Sequence, residues 1–80
     1  MWYFIIKQQV LKNQQYQRLQ KLAALTEVEV FNEPYENLCV FDVVPEKYKD
    51  FMDFADLEGI PYEVSPTKPS RDQLLEGMRG

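Results

Sequence analysis

The segment from Leu38 to Val64 constrains the fold more than any other, because its hydrophobic period changes twice and each change marks an element boundary. Leu38-Cys39-Val40-Phe41-Asp42-Val43-Val44 is a nearly continuous apolar run of strand length. From Pro45 to Glu58 the apolar residues Tyr48, Phe51, Met52 and Ala55 recur at three- and four-residue steps, the spacing of one helical face. Pro45 suits the first helical turn and Glu46 the positive end of the helix dipole, while Gly59 followed by Ile60 has the form of a glycine C-cap with its hydrophobic contact. Ile60 to Val64 then returns to a strand-like pattern. The segment therefore reads as strand, amphipathic helix, stop and strand.

The residues before it complete an architecture. Met1 to Ile6 is apolar, has no basic flank and gives way to Lys7-Gln8-Gln9 well short of the roughly 20 residues that cross a membrane, so it reads as a strand rather than a leader or a span. Asn13 can cap a helix over Gln14 to Leu25, with Tyr16, Leu19, Leu22 and Ala23 on one stripe and Gln14, Gln17, Arg18 and Lys21 opposite. Glu27-Val28-Glu29-Val30 alternates like a half-buried strand, and Asn32 to Asn37 supplies turn residues before Leu38, so the second and third strands form a hairpin. The resulting order, strand-helix-strand-strand-helix-strand, resembles the split βαβ pattern of ferredoxin-like domains.

That resemblance implies an α+β fold: a βαββαβ domain over residues 1–64, its four-stranded antiparallel sheet in the order 4-1-3-2 with both helices on one face. The composition of the strands agrees. Strands one and three carry the continuous apolar runs expected at the centre, strand two alternates with glutamates, and strand four contains Pro61, which is tolerated chiefly at an edge. One layer of helices covers only one face, yet strand three is apolar on both, with Cys39, Phe41 and Val43 on one side and Leu38, Val40 and Val44 on the other. The second face then needs a cover, and there are three candidates: a second copy in a sheet-to-sheet homodimer, the chain's own tail, or another protein.

The tail, residues 65–80, has its own signals. Ser65-Pro66-Thr67-Lys68-Pro69 reads as an extended linker, and Ser70-Arg71-Asp72-Gln73 matches the S-x-x-Q capping box ahead of Leu74 and Leu75. Gly77 and Gly80 limit the expected helix to about two turns, too short to persist in water unless it docks.

Charge and composition exclude several functions. At 80 residues the chain buries only about 60 to 65% of its unfolded surface, so it has a small core. A net charge of -4 argues against nucleic acid, whose binding draws on clustered Lys and Arg. There is no histidine, which removes the commonest general base and metal ligand and every Ser-His or Cys-His pair. No glycine-rich phosphate loop is present and the acidic residues match no calcium loop, so no catalytic residue, metal or cofactor is expected. The one cysteine, Cys39, lies in an apolar strand as a buried thiol, in keeping with a reducing cytoplasm. Asp42, the one polar residue of that strand, would have a raised pKa if buried unpaired; near the strand end it can instead reach solvent or backbone donors.

The helix beginning at Pro45 carries the candidate contact surface. Glu46, Asp50 and Asp53 fall on one face with Lys49, and Phe54 and Leu57 lie beside them, away from the centre of the apolar stripe. Acidic stripes are usually solvated faces, and Phe54 or Leu57 can simply widen the buried stripe. An apolar pair rimmed by carboxylates also has the composition of a surface that meets a basic partner. Leu57-Glu58-Gly59-Ile60-Pro61-Tyr62-Glu63-Val64 is similar to the entry of the second helix into strand four in regulatory domains of the ACT type. The metal chaperones of the superfold need a Cys-x-x-Cys loop, its RNA-recognition domains need aromatic-basic signatures, and its CRISPR adaptation nucleases carry an aspartate where this chain has Lys7-Gln8-Gln9; none of these matches. The expectation is a non-enzymatic protein-binding module, a small acidic regulator or inhibitor of phage or plasmid type, with Glu46, Asp50, Asp53, Phe54 and Leu57 as contact residues. The alternative is a dimeric ACT-like domain that holds a small molecule.

Overall fold

The computed structural model describes residues 1–79. In chain order they form β1 (Trp2–Lys7), a 3-10 turn (Gln8–Val10), α1 (Asn13–Leu22), β2 (Leu25–Glu29), β3 (Leu38–Val43), α2 (Pro45–Leu57), β4 (Glu63–Ser65) and α3 (Arg71–Arg79). The fold is α+β, built on one four-stranded antiparallel sheet in the order β2-β3-β1-β4, so the two continuous apolar strands are inside and β2 and β4 are the edges.

Strand register divides the side chains between two faces. Phe4 lies opposite Phe41 and Ile6 opposite Cys39, so these residues, with Val43, share the face on which α1 and α2 pack. Leu19 of α1, Phe51 and Ala55 of α2, and Ile60 close the main core over them. Phe51 is its hub, with ring centroids 4.3 Å from Phe4 and 5.3 Å from Phe41. Tilted aromatic pairs of this kind contribute about 0.5 to 1.5 kcal/mol each beyond the burial of their area.

The ends of α2 follow its sequence signals. Pro45 occupies the first turn, and beyond Leu57 the chain turns through Gly59 at φ 68°. The Ile60 N–H donates to Ala55 O at 2.8 Å and the Gly59 N–H to Asp56 O at 3.1 Å, the paired bonds of a Schellman cap. Other boundaries shift from expectation. Helix α1 starts at Asn13 itself, with Lys12 at the cap position, where the Gln15 side chain accepts from the Lys12 N–H at 2.9 Å. It ends at Leu22, and Leu25, expected in the helix, pairs with Asp42 as the first residue of β2. No glycine stops α1, so sheet pairing decides where it ends. Strand β4 begins only at Glu63, because Ile60 is buried in the core and Pro61 cannot donate to a ladder.

The second sheet face is covered by the chain's own tail. Leu74 of α3 is 6% exposed and packs with Phe31, Leu38 and Val40, while Tyr3, Ile5, Tyr35, Leu75 and Met78 surround that cluster. The expected capping box forms in both directions: the Ser70 N–H donates to Gln73 Oε1 at 2.9 Å and the Gln73 N–H to Ser70 Oγ at 3.1 Å. Gly77, expected to limit the helix, lies within it, and Gly80 falls outside the described residues.

Two cations fasten the tail to β2. Lys68 pairs with Glu27. Arg71 donates to Glu29 Oε2 at 3.0 Å and to Val30 O at 2.5 Å, and its guanidinium lies 4.3 Å from the centroid of Phe31. Cover that a second subunit or a partner would otherwise supply thus comes from residues 71–79.

Candidate functional site

With both sheet faces occupied, the outward side of α2 is a surface that combines charge with exposed apolar area. At 100° per residue, Asp53, Glu46, Leu57 and Asp50 succeed one another within a narrow arc opposite the Phe51 and Ala55 stripe. The three carboxylates are exposed, and Leu57 among them is 82% exposed. A leucine there covers nothing in its own molecule. Lys49 sits at the margin of the arc and donates to Asp53 Oδ2 at 2.7 Å, whereas Glu46 and Asp50 form no ion pair among the described residues. The hydrogen bond to Asp53, followed by its charge, holds the Lys49 ammonium above the usual lysine value.

Phe54 is placed differently from Leu57. It is half-buried against the main core, with the Arg18 guanidinium of α1 5.7 Å from its ring centroid. It joins α2 to α1, so the structure separates the two apolar residues that the sequence set side by side. Of the five candidates, Glu46, Asp50, Asp53 and Leu57 form one outward surface and Phe54 supports it from behind.

Asp42 is 8% exposed on the second face, with Oδ1 free of any hydrogen-bond partner. Burial raises its pKa from the usual aspartate value, the Lys68 charge opposes that rise, and Glu27 adds to it. Oδ1 is shut off from solvent and from backbone donors, while Oδ2, which is not among the buried unpartnered atoms, keeps the residue's limited access to solvent at the strand end. Cys39 is fully buried, and desolvation pushes its thiol up to about 11, so it is a core residue and a poor nucleophile. An open groove of about 920 Å³ runs between α3 and the β4 edge, walled by Ile5, Tyr35, Glu63, Leu74 and Met78. Its walls also include Lys7, Glu36, Thr67 and Gln73, and it lies open to solvent instead of enclosing a ligand. Among the described residues no three His, Cys, Asp or Glu side chains are placed to hold a metal, and no helix is long and apolar enough to cross a membrane.

The residues that sequence reasoning passed over are the tail cations and the β2 edge. Glu27 and Glu29, two positions apart on a strand, project to the same face, and Lys68 and Arg71 were the available partners. That spacing was the usable signal. Comparison with family models, with curated proteins and with solved structures returned no match.

Proposed function

We propose that this chain is a non-enzymatic protein-binding module, a small acidic regulator or inhibitor, and that it meets a basic surface of another protein through the outer face of α2. Leu57 is the apolar contact at the end of the helix, and Glu46, Asp50 and Asp53 supply the charge along the same outward stripe. The single observation behind this reading is the 82% exposure of Leu57 at the C-terminal end of the outward stripe that carries Glu46, Asp50 and Asp53. An interface core of one well-placed apolar side chain inside a charged rim gives specificity through electrostatic complementarity and adhesion through desolvation. Strand adjacency, read from the β4 edge, runs 4-1-3-2 and supports placing the domain in the ferredoxin-like class. The single buried cysteine suits a reducing, cytoplasmic setting.

The test is capture by immobilised wild-type chain beside Leu57→Asp and Asp50→Lys, with quantitative mass spectrometry and a salt series. The reading expects one basic protein held by wild type, weakened by salt and lost by about tenfold or more with either substitution, since each removes a central contact. Equal retention by Leu57→Asp would contradict it. A saturable thermal shift with a free amino acid, and no captured protein, would favour the ACT-like alternative.

A further inference from the structure

The two sheet edges differ in how they are protected. β4 spans only Glu63–Ser65, enters after Pro61 and leaves into Pro66, so it offers little backbone to another strand. β2 runs from Leu25 to Glu29 without a proline and pairs on one side only, with β3. Its exposed side chains are apolar: Leu25 at 51%, Val28 at 37% and, just beyond its end, Val30 at 60%. The charges that would keep such an edge apart are Glu27 and Glu29, and both are engaged by the tail cations Lys68 and Arg71. The molecule carries a net charge of -4, yet this edge is locally neutral, apolar and open.

We propose that β2 is a self-association edge, and that two copies pair antiparallel about a twofold axis through Val28 to join their sheets into one. A second copy fits because the pattern is self-complementary when reversed about that residue. Val28 meets its own counterpart and Thr26 meets Val30, so Val28 and Val30 are covered in both copies, while Leu25 lies just outside the paired stretch. On the tail side Glu27 meets Glu29, with the Lys68 pair of one copy beside the Arg71 pair of the other, and the charges alternate in sign. Val30 O is already taken by Arg71, which ends the backbone pairing and keeps the contact small. Short contacts of this size belong to the weak, concentration-dependent class. Because β4 is blocked, the pairing closes as a dimer and does not propagate. This surface is separate from the α2 face, so either proposal can fail without the other.

Sedimentation equilibrium on the full chain, from micromolar to millimolar concentration, tests it. The average mass is expected to rise and level at twice that of one chain, while the amide resonances of Leu25 to Glu29 shift with concentration. Val28→Lys sets like charges at the axis and is expected to hold the single-chain mass throughout; Leu57→Lys is expected to associate as wild type does. Circular dichroism confirms that the variants fold, and Val30→Lys serves if Val28→Lys does not. A wild-type chain that keeps its single-chain mass at millimolar concentration would overturn the proposal. Undiminished association of a folded lysine variant, loss of association in Leu57→Lys, or growth beyond twice the mass would do the same.

Discussion

Leu74→Ala should loosen the tail more than any change to its ion pairs. Leu74 is 6% exposed in a cluster with Phe31, Leu38 and Val40. The substitution removes three carbons from an apolar contact at about 0.8 kcal/mol each. The cavity left is small because α3 lies at the surface and can settle onto the sheet, so the expected loss is about 2 to 3 kcal/mol, the low end for buried leucines. The polar contacts of Arg71 are worth less. Its ion pair with Glu29 joins side chains 54% and 31% exposed, a setting worth about 0.5 kcal/mol, and its position over Phe31 adds about 0.5 to 1 kcal/mol. With its exposed hydrogen bond to Val30 O counted as well, Arg71→Ala should cost about 1 to 2 kcal/mol, and strong salt should leave the tail docked. Urea unfolding of both variants, with and without added salt, measures the ranking. If Leu74→Ala costs less than about 0.5 kcal/mol, or Arg71→Ala costs more than Leu74→Ala, the reasoning that apolar contact holds α3 fails.

Three other outcomes follow from the core and its boundaries. Gly59→Ala should cost about 1 kcal/mol in thermal unfolding, because φ is 68° there while a Cβ would meet nothing within 4 Å, so the loss is purely conformational. Cys39, with its thiol pushed up from 9.0 to about 11, should react with a thiol reagent near pH 8 at least about a hundredfold slower in the folded chain than in urea; comparable rates would place it outside the core. Asp42 has a raised folded-state pKa, so the folded chain binds more protons than the unfolded one between pH 3.8 and that raised value. Its contribution to stability falls as pH rises through this window and is flat above it. Urea midpoints should show Asp42→Asn gaining on wild type as pH rises, and a difference independent of pH would contradict the burial of this carboxyl.

The fold was legible where a backbone conformation selects one residue type or where an element is apolar on every side. Pro45 and Gly59 marked the ends of α2 because a proline suits a first turn and a glycine readily adopts φ of 68°. The inner position of β1 and β3 followed from their unbroken apolar runs. The end of α1 was not legible, since Ala23 and Ala24 suit a helix as well as a link, and only pairing with Asp42 draws Leu25 into the sheet. The surface was harder still. Helical spacing set Phe54 and Leu57 together beside the carboxylates, but the position of α1, which turns Phe54 inward beneath Arg18, depends on how two helices pack and leaves no trace in local spacing. The tail's capping box was readable, whereas its choice between docking and fraying rested on contacts with residues more than 30 positions away.

A nuclear Overhauser experiment on a methyl-labelled chain tests most directly whether the tail covers the second sheet face. Cross-peaks from Leu74 to Leu38 and Val40 are expected, with helical shifts across Arg71 to Arg79 and slowed amide exchange after Gln73. Random-coil shifts for those residues, with no cross-peak from Leu74 to the sheet, would contradict it and return that face to another partner.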